Sequence, residues 1–395
     1  MPRHSHDHPH HHHHPHAHFS SRREFFRMTV GNALLGAAIL EAARARAAWA
    51  QAMVPASDAQ LFDIEKVAEG VYFARARPAA VTNCNAGIFV NSADVLVVDS
   101  HSKPSAAGAL MAQIKREVTP KPVRYLVDTH FHWDHAQGNA AYRAQGAKIL
   151  ASNKTKQLLM EFSAKRLHES LDPHGHSFPS QPQIPEVLDA ARARLAGATS
   201  ADQRAAIEGQ IQQLEAFAAE MKNYEPVLPT ITFDKTYVIK DKAHDLHLEF
   251  HGRAHTAGDV QVFCPQKRVV ATGDMIVGSS PFIADGYPKE WPATIDAVSK
   301  LDISYVMPGH GTVQQGRQRM TDLRNYIEEL TTRVIAGKQA GQAVPDLQTS
   351  ITVGSLKSLQ SDGYGDFLSG RGGLASLQSR VNTNIEHIYM RIDAA

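Results

Sequence analysis

Four times in this chain a short apolar run ends in a loop bearing histidine or aspartate, and no other feature limits the fold as much. Val123–Asp128 leads into Thr129-His130-Phe131-His132-Trp133-Asp134-His135, and Leu246–Phe250 precedes Gly252-Arg253-Ala254-His255-Thr256-Ala257-Gly258-Asp259. Arg268–Thr272 ends in Gly273-Asp274, and Tyr305–Met307 in Pro308-Gly309-His310-Gly311. Apolar runs of this length bounded by turn residues read as buried strands. Each delivers polar side chains to a loop at a sheet edge, where backbone freedom lets them turn inward.

The first segment places four metal-competent side chains within six residues. His130 and His132 share a side in extended geometry. A turn after them lets Asp134 and His135 face the same cavity from another direction. That arrangement suits two adjacent cations, one on His130 and His132 and the other on Asp134 and His135. His255, in its glycine-flanked loop, would complete a three-imidazole site with His130 and His132. Asp274, at a strand end beside a glycine, is free to bridge two cations, and His310 follows the same strand–glycine–ligand design.

Other function classes lose support from composition. Lys and Arg total 41 against 40 Asp and Glu, a net charge of +1, so no basic field exists for a nucleic-acid backbone. Only two cysteines are present, Cys84 and Cys264, which rules out a disulfide framework or a cysteine-rich zinc module. Histidine is the outlier at 23, ten of them in the low-complexity run between residues 4 and 18. That run builds no core and no defined site. After it come Ser21-Arg22-Arg23-Glu24-Phe25-Phe26-Arg27, a mildly apolar stretch from Met28 to Leu40, and the small-residue end Ala48-Trp49-Ala50. This order is expected of a twin-arginine signal peptide cleaved before Gln51, giving a periplasmic or secreted protein. No later segment is apolar enough for a membrane span.

The remaining chain reads as alternating strands and helices. Strands are expected at Val71–Arg77, Ala86–Val90, Val95–Asp99, Lys148–Ala151, Thr230–Phe233, Thr236–Ile239 and Val260–Phe263. Helical spacing marks Pro104–Val118, Gln137–Gln145, Lys154–Leu171, Trp291–Lys300 and Gln314–Ala336. Residues 172–184 read as a loop, and Pro185–Tyr224 as a helical hairpin broken near Gly197–Ser200. The C-terminal part is expected to be helical, with a glycine-rich loop at Gly363–Gly373.

Taken together, THFHWDH, GRAHTAGD, TGD and PGHG resemble the metallo-β-lactamase superfamily over residues 60–312. The resemblance implies an α+β fold, the αββα four-layer sandwich, with the site at the edge between two sheets. With the signal and the C-terminal helices, the chain then divides into residues 1–50 (histidine-rich extension and signal), a catalytic domain over 51–312 with a helical insertion at about 172–228, and a helical extension over 313–395. His130, His132 and His255 match the family's first-metal ligands. Asp134, His135 and His310 match the second-metal ligands, and Asp274 the bridging carboxylate. Asp99 matches a buried aspartate that orients a ligand imidazole.

Asp at position 274 resembles the glyoxalase II-like and lactonase-like groups, whereas the B1 β-lactamases carry Cys there and the B3 group usually Ser. His at 132 departs from the Glu of the flavo-diiron oxidoreductases. The resemblance implies a hydrolase holding two zinc ions, with iron or manganese as other candidates for the same donors. A metal-bound hydroxide would open a lactam, lactone or thioester of a small-molecule substrate, with Asp134 orienting it and moving its proton. One alternative is a mononuclear iron dioxygenase acting on persulfides; another is a non-catalytic metal-binding protein. The insertion covers the site, makes an oligomer contact or decorates the outer surface. Trp291, Phe282, Tyr287 and Trp133 are candidates for an apolar pocket wall, and Tyr364 and Arg371 for reaching into it.

Overall fold

A computed structural model describes residues 61–77, 84–176, 178, 181–369 and 373–392. The histidine run, the twin-arginine segment and Arg371 lie outside these residues.

Thirteen strands form two sheets among the described residues. The first sheet runs in chain order: β1 (Phe62–Ala68), β2 (Val71–Ala76), β3 (Ala86–Val90), β4 (Val95–Val98), β5 (Val123–Val127), β6 (Lys148–Ser152) and β7 (Ile231–Phe233). The second is ordered β13 (Gln314–Gln315), β12 (Tyr305–Pro308), β11 (Val269–Gly273), β10 (Gln261–Cys264), β9 (Leu246–Glu249) and β8 (Thr236–Ile239). β1 to β4 pair antiparallel and β4 to β7 parallel.

Burial explains the layering. Every residue of β4, β10 and β11 is buried, the signature of strands covered on both faces. Phe73, Phe89, Leu96, Val127 and Leu150 from the first sheet meet Leu248, Val262, Val269 and Met307 from the second in one core. Behind the second sheet, Trp291–Val298 and Gln318–Gln339 pack with the C-terminal helices around Trp291, Tyr326 and Tyr364. Pro104–Glu117 buries Leu110 and Ile114, and Gln113 on this helix donates to the Phe62 carbonyl of β1 at 3.1 Å. The result is the αββα sandwich.

Between β6 and β7 the chain leaves the sheet for helices. The expected Lys154–Leu171 helix contains one π-helical turn, Leu159–Ser163, between Asn153–Leu158 and Ala164–Leu171. The hairpin forms as Ile184–Ala196 and Ala201–Met221, broken where expected. It packs inward: Phe217 meets Trp133 edge-on at 5.5 Å, and Glu220 accepts from the Ser105 N–H at 2.7 Å. Two C-terminal expectations need correction. Gln314–Gln315 pairs with β12 as β13, Gly316 turns the chain at φ 72°, and the helix begins only at Gln318. Tyr364–Ser369 is helical within the expected glycine-rich loop, because Tyr364 is fully buried in the C-terminal core. Tyr364 and Trp291 are therefore core residues rather than pocket walls; Trp291 donates its indole N–H to the Met275 carbonyl at 2.9 Å.

Candidate metal centre

All seven candidate side chains converge where the two sheets meet at one edge. His130 and His132 lie in the loop after β5, and Asp134 and His135 in the first turn of the short helix Trp133–Ala136. His255 sits in the β9–β10 loop, whose tight shape is held by Asp259 accepting the Thr256 N–H at 2.9 Å. Asp274 follows β11 directly, after Gly273 at φ 51°, and His310 follows β12. The His310 loop is pinned by Gly309 N–H to the Gly273 carbonyl at 2.9 Å and by the Asn85 amide to the carbonyls of Pro308 and Gly311. Their donor atoms form three overlapping groups: His130, His132 and His255; His130, His135 and Asp274; and Asp134, His135 and His310. Within each, one donor per residue lies within 4.8 Å of the others. Asp274 spans the first and last, 3.6 Å from His255 Nε2 and 3.5 Å from His310 Nε2.

Hydrogen bonds at the outer ring nitrogens set which atom faces the centre. Asp99 is buried and accepts from His135 Nδ1 at 2.8 Å and from the Thr129 hydroxyl at 2.9 Å; that hydroxyl in turn accepts from His130 Nδ1 at 3.0 Å. One carboxylate thus orients two imidazoles. His255 donates Nδ1–H to the Phe282 carbonyl at 3.0 Å, and His132 donates Nε2–H to Asp285 at 2.9 Å. Consequently His132 Nδ1 and His255 Nε2 face one another at 2.9 Å, each turned away from its outer partner.

The donors fit a divalent cation. Two ring nitrogens at that distance share a proton or a cation, and with both rings neutral and their outer nitrogens protonated only a cation serves. His130 Nε2, His135 Nε2 and Asp274 Oδ1 are buried without a hydrogen-bond partner, a cost an ion would remove. Burial holds the His130 imidazole well below the usual histidine range and takes His255 down to about 3, so both stay neutral with free lone pairs. Around the second group burial opposes ionisation, but charge neighbours prevail. His310 is raised by Asp274 and Asp134, and Asp274 is held well below the carboxylate range by His310 and His135. Such a group already draws in positive charge.

Three participants escaped the sequence reading. Cys84 shares a further group with Asp99 and His135; burial pushes its thiol up to about 12, so it stays protonated. Asp285 and the Phe282 carbonyl orient His132 and His255, yet no motif marks either. Asp99, read from the resemblance, occupies the orienting position it implied.

This geometry agrees with the comparisons. The family model described as metallo-beta-lactamase superfamily matches residues 79–310. The chain belongs to that superfamily. Among curated relatives, the metallo-beta-lactamase type 2 of Bacillus cereus is 30% identical over 128 residues, covering 30% of this chain and 48% of that protein. The protein of the same name from Bacillus sp. (strain 170) is 29% identical over 128 residues with the same coverage. The chain thus spans about half the length of the curated relatives it matches. Among solved structures, the stereoselective inverting sec-alkylsulfatase of Pseudomonas sp. shares the fold at a TM-score of 0.59 and 16% identity, covering 84% of this chain and 50% of that one.

Proposed function

We propose that this chain is a metal-dependent hydrolase of small molecules, opening a lactam, lactone or thioester. His130, His132 and His255 would hold one zinc ion, Asp134, His135 and His310 a second, and Asp274 would lie between them. Bound there, such ions would lower the pKa of water and polarise an acyl oxygen. The observation that carries the reading is the convergence of two donor groups on Asp274, with unpartnered buried lone pairs aimed at the same space. Asp134, 3.1 Å from His310 Nε2, would take the proton of an attacking water and pass it to the leaving group. Asp99 and Thr129 hold the imidazoles against reorientation during that transfer. The helical insertion, resting on Trp133, walls one side of the loop that carries four of the seven groups.

Metal analysis of the purified chain tests the reading. Two zinc ions per chain are expected; one iron favours persulfide dioxygenase chemistry, and no metal rejects both. A screen against a β-lactam, a homoserine lactone and a glutathione thioester then narrows the substrate, and His132→Ala should abolish whichever hydrolysis is found. Full activity in that folded variant defeats the assignment. Export by the twin-arginine route belongs to the same proposal, and fractionation with a Lys-Lys replacement of Arg22-Arg23 checks it.

A further inference from the structure

One half-buried charge path reaches the metal centre from the helical segment between β6 and β7. Asp285, which accepts the Nε2–H of His132, is gripped on both oxygens by the Arg166 guanidinium, Nη1 to Oδ2 at 2.7 Å and Nη2 to Oδ1 at 3.0 Å. Such a two-pronged pairing fixes orientation as well as charge. The guanidinium carbon lies 5.0 Å from the ring centre of Phe131, 4.9 Å from Phe162 and 5.4 Å from Phe178. Aromatic faces on this scale hold an arginine in place and limit its hydration. Arg166 comes from Ala164–Leu171, directly after the π-helical turn Leu159–Ser163. That turn shifts the register of every later side chain, and π-turns often mark functional sites. Arg166 is thus aimed from the helical segment between β6 and β7 at a loop 119 residues away.

The Asp285 loop is also held from its other side. Asn384 donates to the Pro281 carbonyl at 3.0 Å and Arg391 to the Ala284 carbonyl at 2.7 Å, both from the C-terminal helix Gly373–Arg391. The same loop supplies the Phe282 carbonyl to His255. Two of the three imidazoles of the first group therefore take their orientation from this one loop.

We propose that Arg166 is a positioning residue of the first cation site: by locking Asp285 it fixes the ring orientation and tautomer of His132, so that Nδ1 faces His255. The inference rests on the metal-centre reading above and deepens it. The positively charged fork stabilises the Asp285 carboxylate, which then holds the Nε2 proton of His132 and leaves Nδ1 as the only free donor atom. Without Arg166 the carboxylate can rotate, and the imidazole can flip or exchange tautomers.

The test uses the full chain, stripped of metal and titrated with Co2+, whose d–d absorption reports coordination geometry. Arg166→Met keeps an apolar stem among the three aromatic rings and removes the fork; Arg166→Lys keeps the charge alone. The Met variant is expected to lose roughly 10- to 100-fold in affinity for one Co2+, with an altered d–d spectrum and the second Co2+ little changed. Lys is expected to recover only part of the affinity, because a single ammonium cannot engage both carboxylate oxygens. A Met variant that binds both ions with wild-type affinity and spectrum overturns the inference while leaving the metal centre standing. A wild-type chain that takes up no Co2+ overturns both. If the Met variant does not fold, Asp285→Asn, nearly identical in shape, is read by the same two outcomes.

Discussion

At the scale of single residues, the same physics that prepares ligands also leaves marks away from the site. His244, in the turn before β9, is 2% exposed, lies edge-on to Phe89 at 6.3 Å, and has no partner on either ring nitrogen. Burial draws its proton affinity below the ordinary histidine value; Lys267 adds to this, while Asp241 and Asp245 pull the other way. The unfolded chain, with this group near its usual value of about 6.5, then binds more protons than the folded one between the two pKa values. The associated stability is complete above about pH 6.5, declines as pH falls below it, and levels off once the folded-state pKa is passed. His244→Leu should therefore remove part of the acid slope of the urea midpoint between about pH 7 and about pH 5. Parallel midpoint curves for the two proteins would show that His244 does not carry that slope. Contrast His130 and His255, also depressed by burial but aimed at one another's neighbourhood, where neutrality serves ligation.

At the scale of elements, glycine placement sets how closely two strand ends approach. A Cβ at Gly309 would lie 2.1 Å from Asp274 Oδ1 and 3.0 Å from His135 Cε1, so no side chain fits between the end of β12 and the site. Gly309→Ala should push Asp274 aside, lower zinc content from two toward one, and weaken metal binding roughly tenfold or more. Zinc analysis of the folded variant checks this, and two tightly held ions would contradict it. The strand-plus-loop units that carry the seven groups were legible because a buried strand is a short apolar run and its ligands follow within a few residues. Helpers beyond that local window were not. Asp285 sits in Ile283-Ala284-Asp285-Gly286, an ordinary turn by its sequence, and Arg166 reaches it only through tertiary packing and a π-turn that periodicity does not encode. Phe282 acts through its carbonyl, which no side chain announces. β1 leaves little apolar signal because its burial is that of an edge strand, with only Phe62 fully covered. β13 is two polar residues paired to β12, too short for any pattern to show.

At the scale of the whole molecule, the centre lies at an edge of the inter-sheet core, and the core itself holds no ligand. Phe73, Phe89, Leu96, Val262 and Val269 bury their side chains whether or not ions are present. The imidazoles, too, are held by protein groups: His130 through Thr129, His135 by Asp99, His132 by Asp285 and His255 by the Phe282 carbonyl. Metal removal should therefore leave the fold intact while taking away the stability contributed by binding. For an ion present at a hundredfold excess over its Kd, that contribution is about 2.7 kcal/mol. Treatment with a chelator should lower Tm by a few degrees with little change in far-UV circular dichroism, and zinc added back should restore it. The facing nitrogens of His132 and His255, 2.9 Å apart, give the loss a local origin: without a cation, only a shared proton can hold that contact. Hydrogen exchange should then rise in the loops around residues 130–135, 252–259 and 281–287, and remain slow in β3, β4, β10 and β11. Global unfolding on chelation would mean that the ions organise the sandwich itself, and an unchanged Tm would mean that none bind.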